Sequence, residues 1–271
     1  SKPRRVFSFF LLGFEIDTLE IHLRETYEFV DMYCIAEGTR SHWNQTMKPL
    51  MWDRVKYTDR FAFVQEKVFH IVQHDGNLAK FGLKARPNVW DTEIDQTQTG
   101  VAACGKIIKE QYGLHPDDIF MSGDTDEIVS AKAVWQLKHC EIPHRILHAA
   151  TWMPAGGDLN RAMGTGFHPP GMPFTHVCPT IYKMNAVKHF GICNQEPCYD
   201  GGREFQGRSA HVRGGIHMTW IPALPHVYLK DMTATEYQGG YTSPWIKEIR
   251  ANAEANTLDK LQLSLPDRVF P

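Results

Sequence analysis

An α/β fold with a largely parallel central sheet is what this sequence predicts, on three observations. Short apolar runs of strand length alternate along the chain with segments whose apolar residues recur at helical spacing. The first run, Val6-Phe7-Ser8-Phe9-Phe10-Leu11-Leu12, is apolar almost throughout, as a strand buried on both faces should be. A later run, Ile119-Phe120-Met121, ends in the acids Asp124, Asp126 and Glu127, and a new helix pattern follows. With 271 residues, the chain can bury the core of one large α/β domain, or of one domain plus a small lobe.

The elements follow in order. A strand over 5–12 is broken by Gly13, and a helix over 17–27 carries Leu19, Leu23 and Tyr27 on one face. Asp17 stands at the start of that helix and is the expected cap, and Glu20 can pair with Arg24 one turn on. A second strand over 30–36 ends at Glu37, and a third covers 67–73. A longer helix is expected over 92–112, with Val101, Ile107 and Ile108 on a shared face. After the acids, Ser130 is the expected N-cap of a helix through Leu137. Later strands are expected over 145–152 and 180–184, and a C-terminal helix within 234–256, around Pro244. The interval 154–179, rich in Gly and Pro, reads as an irregular binding loop, with a disordered surface loop as the competing reading. Trp152, Met153, Phe167 and Phe174 are costly to expose there without a use. As domains, this gives one unit over 1–271, with a first half over 4–128, a second over 129–233, and a helix and tail over 234–271.

Composition excludes several classes. Twenty-nine Lys and Arg against 31 Asp and Glu leave a net charge of −2, and no basic block points to nucleic acid. No apolar stretch reaches the roughly 20 residues that span a bilayer, and no signal peptide is evident. The six Cys show no metal-binding spacing. Cys193 and Cys198 are close enough to close a small disulfide loop in an oxidising compartment; the alternative is that all six are reduced. Asn44-Gln45-Thr46 has the form of a glycosylation site.

The acid cluster carries the chemistry. In an extended segment, residues i and i+2 face the same way, so Asp124 and Asp126 are expected to point into one space. Two carboxylates there would seat a divalent cation already chelated by a diphosphate, since such an ion needs few protein ligands. The bare Asp-x-Asp pattern is expected about once by chance in a chain like this, and a solvated turn is the competing reading. Its position after an apolar strand and before a capped helix favours a ligand site.

Several segments together resemble glycosyltransferase family 17. Glu15, Asp17, Leu19, Glu20 and Leu23 match an E-x-D-x-L-E-x-R-L helix, with His22 where Arg is usual. Val30-Asp31-Met32-Tyr33-Cys34-Ile35-Ala36-Glu37 is similar to the next strand, and Lys48-Pro49-Leu50 to the turn after it. Ser122-Gly123-Asp124-Thr125-Asp126-Glu127-Ile128 is similar to the S-D-x-D-E-I segment, and Gly214-Gly215-Ile216-His217-Met218-Thr219-Trp220 to the G-W-H-x-S segment, with Ile216 for Trp. The family's R-E-x-x-x-R stretch finds only Trp90-Asp91-Thr92-Glu93-Ile94-Asp95, without the arginines.

The resemblance implies a GT-A-like (Rossmann-like) fold and an inverting transferase. The donor would be a nucleotide-sugar, most simply a UDP-sugar, and Mn²⁺ or Mg²⁺ the cofactor. The sugar would be N-acetylglucosamine by resemblance, with xylose or a hexose open, and the acceptor a glycan hydroxyl on an oligosaccharide or glycoprotein. By that analogy the metal ligands are Asp126, Asp124 and His217, with a packed strand histidine as the alternative for His217, and Asp124 contacts the ribose or the metal's water shell. Glu37, at the end of the second strand, is a donor-site residue by position, and Arg203 and Arg208 are candidates for the diphosphate, with ion pairing to nearby acids as the alternative. Glu204 is the first choice of general base, Asp200 the second and Asp158 the third. Glu127 is either a support behind the metal site or a cap for the following helix. Gly214-Gly215 would let backbone approach a ligand closely. The Golgi lumen is implied as compartment, with a soluble cytoplasmic enzyme as the alternative. The competing functions are an Asp-x-Asp phosphohydrolase and a non-catalytic carbohydrate-binding protein.

Overall fold

The computed structural model describes residues 3–42, 47–74, 89–152, 154–155, 158–162, 175–203 and 210–218. The expected helix within 234–256 lies outside them, as do Glu204 and Arg208.

The chain opens with β1 (Val6–Leu11), α1 (Ile16–Thr26), β2 (Met32–Gly38), α2 (Met51–Val55), β3 (Val68–Gln73), α3 (Val89–Tyr112) and β4 (Ile119–Asp124). These are the predicted elements to within a few residues; α2 is the addition. β1 pairs in parallel with β2 and β4, and β2 with β3, which gives the order 3-2-1-4. Alternate residues serve opposite faces. Val6, Phe10, Tyr33, Ile35 and Met121 join Leu19 and Leu23 of α1 in one core. Phe7, Phe9, Met32, Cys34 and Phe120 join Val101, Cys104 and Ile108 of α3 in the other. Both faces of these strands are therefore covered, which is why their sequences are apolar without alternation.

The second half is mixed rather than mostly parallel. It comprises β5 (Glu127–Val129), α4 (Ala131–His139), β6 (Ile146–Trp152), β7 (Pro154–Ala155), β8 (Asp158–Ala162), β9 (Thr175–Lys183) and β10 (Ala210–His217). The full order is β3-β2-β1-β4-β9-β6-β10-β5, with β9 antiparallel to both neighbours, β10 parallel to β6 and β5 antiparallel to β10. Part of the interval expected to be irregular is ordered: β7 and β8 pair with each other, and β9 begins at Thr175.

This order has a geometric consequence. Only Thr125 and Asp126 join β4 to β5, yet β9, β6 and β10 lie between them in the sheet. In a flat sheet, four strand spacings would separate β4 from β5 by about 19 Å. The three Cα steps from Asp124 to Glu127 reach at most about 11 Å. The sheet must curl, so that the end of β4 meets the β10–β5 edge.

Disulfides join Cys34 of β2 to Cys104 of α3, and Cys193 to Cys198. The short loop anticipated from spacing is closed, and the all-reduced alternative is not what the fold contains. Cys140 and Cys178 are free thiols. Among the described residues, no helix is long and apolar enough to cross a membrane.

Candidate active site

The acids sit on the turn between β4 and β5, and three contacts fix that turn. Thr125 donates from its backbone N–H and its hydroxyl to the Leu11 carbonyl, at 3.2 and 2.6 Å. The Met218 N–H donates to the Asp126 carbonyl at 2.8 Å. From beneath, the buried His22 donates its Nδ1–H to the Thr125 carbonyl at 2.9 Å, with its ring against Phe10. Burial drives the His22 pKa down to about 4, only partly opposed by the Thr125 carbonyl and Asp126, so the ring is neutral near pH 7.

β10 delivers His217. Its ladder with β5 sets Gly215 opposite Val129, Ile216 opposite Ile128 and His217 opposite Glu127. The register to β6 shifts between Arg213 and Ile216, where Gly214 and Gly215 take φ values of 128° and 137°. A Cβ on Gly215 would lie 2.2 Å from the Ile128 carbonyl oxygen. The close approach that Gly215 permits is to β5, while a Cβ on Gly214 would meet the Ser130 hydroxyl at 2.6 Å. As a result, His217 Nε2 lies 3.4 Å from Asp126 Oδ1, both side chains being buried.

Asp124 goes elsewhere. Its Oδ2 is 2.7 Å from Arg203 Nη2, which also meets Glu93 Oε1 at 2.7 Å, while Arg203 Nη1 meets Glu127 Oε1 at 3.3 Å. The other Glu127 oxygen accepts the Asp124 N–H at 3.0 Å. Glu127 is thus a buried support for the turn and not a helix cap; Ser130 caps α4, accepting the Ala133 N–H at 3.3 Å. Burial raises the Asp124 carboxyl well above the usual carboxylate range; Arg203 opposes this, and Glu127, Glu93 and Asp126 add to it. The side chain is 26% exposed, so solvent softens that burial penalty. Burial also disfavours the Arg203 charge, but Asp124, Glu127 and Glu93 outweigh it and hold the guanidinium charged.

The expected residues are therefore brought together in two groups, Asp126 with His217 and Asp124 with Arg203. Among the described residues, no three His, Cys, Asp or Glu side chains converge as a metal cluster. Asp126 and His217 fit a cation only as a two-ligand seat, which suits an ion arriving with a diphosphate that fills its other positions. A carboxylate with an imidazole favours Mn²⁺ over Mg²⁺ within that pair.

Glu37, expected at the donor, is fully buried. It accepts the Met51 and Trp52 N–H groups at 2.7 and 2.9 Å and pairs with Lys48 at 3.1 Å, with His70 Nε2 at 2.9 Å. Burial pushes its pKa up, but His70, Lys48 and the two N–H groups hold it below the ordinary value. The structure uses Glu37 to anchor the start of α2. Asp200 is ion-paired with Lys188. Asp17 does not cap α1: Glu15 is the N-cap residue, and Asp17 pairs with Arg60 from the first turn. The expected Glu20–Arg24 pair forms at 2.7 Å.

Sequence reasoning missed Glu93 and His22 as parts of the site. Glu93 lies in the very segment noted for its missing arginines, and its partner Arg203 is 110 residues away. His22 is visible only as a departure from a motif.

Comparison with known proteins places the chain. The family model of glycosyltransferase family 17 matches residues 1–152, which include the β4–β5 turn. The β-1,4-mannosyl-glycoprotein 4-β-N-acetylglucosaminyltransferases of Rattus norvegicus and Homo sapiens are each 26% identical over 136 residues, 50% of this chain. The match spans about a quarter (24%) of the length of those proteins. A crystal structure of 4-diphosphocytidyl-2C-methyl-D-erythritol synthase superposes with a TM-score of 0.44 at 10% identity, covering 85% of this chain and 99% of that one. With the family model matched over more than half of its residues, the chain belongs to glycosyltransferase family 17.

Proposed function

We propose that this chain is the catalytic part of a metal-dependent, inverting glycosyltransferase. It moves a sugar, N-acetylglucosamine by relation to the mannosyl-glycoprotein enzymes, from a UDP-sugar to a hydroxyl of a glycoprotein glycan. The observation that carries this reading is the meeting of Asp126 and His217 at 3.4 Å on the curled edge of the sheet. They lie beside the crevice between β1 and β4, where the 3-2-1-4 order reverses and ligands of open α/β sheets bind.

Asp126 and His217 would hold a Mn²⁺ or Mg²⁺. Bound there, the ion would offset the charge of the departing diphosphate. The protein's part is to fix both ligands before the donor arrives, through the Met218–Asp126 backbone bond and the β5–β10 ladder. In this reading, residues 4–128 hold the nucleotide and 129–233 the metal and acceptor. Glu204, outside the described residues, is the proposed base for the acceptor hydroxyl. Glu204→Gln is expected to keep donor binding and lose turnover; normal turnover would move the base elsewhere. Two disulfides suit an oxidising compartment such as the Golgi lumen. A phosphohydrolase fits less well, because its nucleophile would be Asp124, whose Oδ2 is committed to Arg203.

A thermal-shift panel of UDP, GDP, CMP and their sugars, each with Mn²⁺ and with EDTA, tests the reading, since a ligand of the native state raises its melting temperature. A rise with UDP and UDP-N-acetylglucosamine that EDTA removes is the expected result. No rise with any nucleotide would overturn it.

A further inference from the structure

Arg203 was expected at the diphosphate, and its surroundings argue for another task. Its side chain is 17% exposed, and its guanidinium spans three carboxylates from three elements: Glu93 of α3, Asp124 of β4 and Glu127 of β5. Both terminal nitrogens are engaged, and the planar fork matches this spread where a single ammonium would not. To take up a diphosphate through the same two terminal nitrogens, Arg203 would have to turn from these partners, leaving three carboxylates around a new anion with less of their counter-charge. Removing one member of such a buried network is strongly unfavourable.

The segment bearing Arg203 is itself fixed. Tyr199 exchanges backbone bonds with Ala186 and Lys188 at 2.8 and 2.9 Å, and the Tyr182 hydroxyl donates to the Gly202 carbonyl. Glu127, 0% exposed, ties the guanidinium to the Asp124 N–H. What the network leaves accessible is Asp124, opposite Leu11 in the β1–β4 register at the mouth of the crevice.

We propose that Arg203 is a positioning residue that holds Asp124 at the nucleoside side of the site, and that it does not bind the diphosphate. This rests on the nucleotide-sugar reading above. Glu93 belongs to the same device, since it shares Arg203 Nη2 with Asp124 and fixes the guanidinium from α3.

The two roles are separated by calorimetric titration of UMP and UDP, each with Mn²⁺, into the wild-type chain, Arg203→Gln, Arg203→Lys and Glu93→Gln. A positioning role predicts that Arg203→Gln weakens UMP and UDP alike, by roughly tenfold, and leaves the UDP-to-UMP ratio unchanged. Glu93→Gln is expected to move both affinities in the same direction by less. Arg203→Lys, which keeps the charge but not the fork, provides the same comparison if the Gln variant does not fold. Loss of UDP affinity with UMP unchanged would make Arg203 a diphosphate ligand, and no change in either would make it a bystander; both overturn the proposal. Failure of the wild-type chain to bind either nucleotide would instead overturn the functional reading on which it rests.

Discussion

Asp126 and Asp124 are two residues apart and identical in type, yet their partners differ: a histidine for one, an arginine for the other. The turn that begins after Asp124 ends the alternation of an extended strand, so their side chains diverge. Substitution at each should separate the roles. Asp126→Asn is expected to reduce transfer at least roughly a hundredfold while leaving the melting temperature without nucleotide near wild type. Its backbone carbonyl, which accepts the Met218 N–H, is untouched. Full activity in that variant, or in EDTA, would sink the metal-dependent mechanism. Gly215→Ala acts on the backbone: a Cβ 2.2 Å from the Ile128 carbonyl, at a φ of 137°, forces β10 away from β5. The expected cost is about 2 kcal/mol or more, read as a lower melting midpoint, together with a smaller Mn²⁺-dependent nucleotide shift. The acid cluster, the late histidine and the Gly pair were all legible in the sequence. Their pairing was not, because which of two acids meets His217 depends on a ladder between residues some 90 apart.

At the scale of elements, α1 does more than cover the sheet, because its buried His22 supports the Asp-Thr-Asp turn. The folded pKa of about 4 lies below the unfolded value near 6.5, so as pH falls the unfolded chain takes up the proton first. The stability tied to neutral His22 is fully present above about pH 6.5 and is lost progressively between about 6.5 and 4, by up to roughly 3 kcal/mol. Denaturant midpoints measured across that window should fall for the wild-type chain and fall less for His22→Gln. Equal slopes would show that His22 is not the group responsible. Element positions themselves were well determined by periodicity: β1, β3, α3 and α4 fall within three residues of expectation at each end. β5 was missed, since three residues between an acidic turn and a helix cap carry too little pattern to read.

For the whole molecule, the Cys34–Cys104 bridge joins the second strand to the helix that carries Glu93, across 70 residues. Closing a loop of that length removes enough unfolded-state entropy to stabilise the native chain by about 4 kcal/mol in the chain-entropy account. Cys34→Ala with Cys104→Ala should lower the melting temperature accordingly, and an unchanged value under non-reducing conditions would show that the bridge is not formed in solution. This pairing is invisible in the sequence because neither cysteine has a neighbour at a recognisable spacing, unlike Cys193 and Cys198. By itself, the sequence determined the alternating α/β elements, the strand ending in acids, the capped helix after it and the family to which these motifs belong. Those features are local, set by side-chain periodicity, capping and charge within a few residues. Tertiary structure alone decided that the second half of the sheet is mixed and curled, that His217 reaches Asp126, that Arg203 gathers Glu93, Asp124 and Glu127, and that Glu37 is an anchor. Each of these depends on strands and helices distant in sequence meeting at one edge, and strand order leaves no mark on the local pattern of the chain.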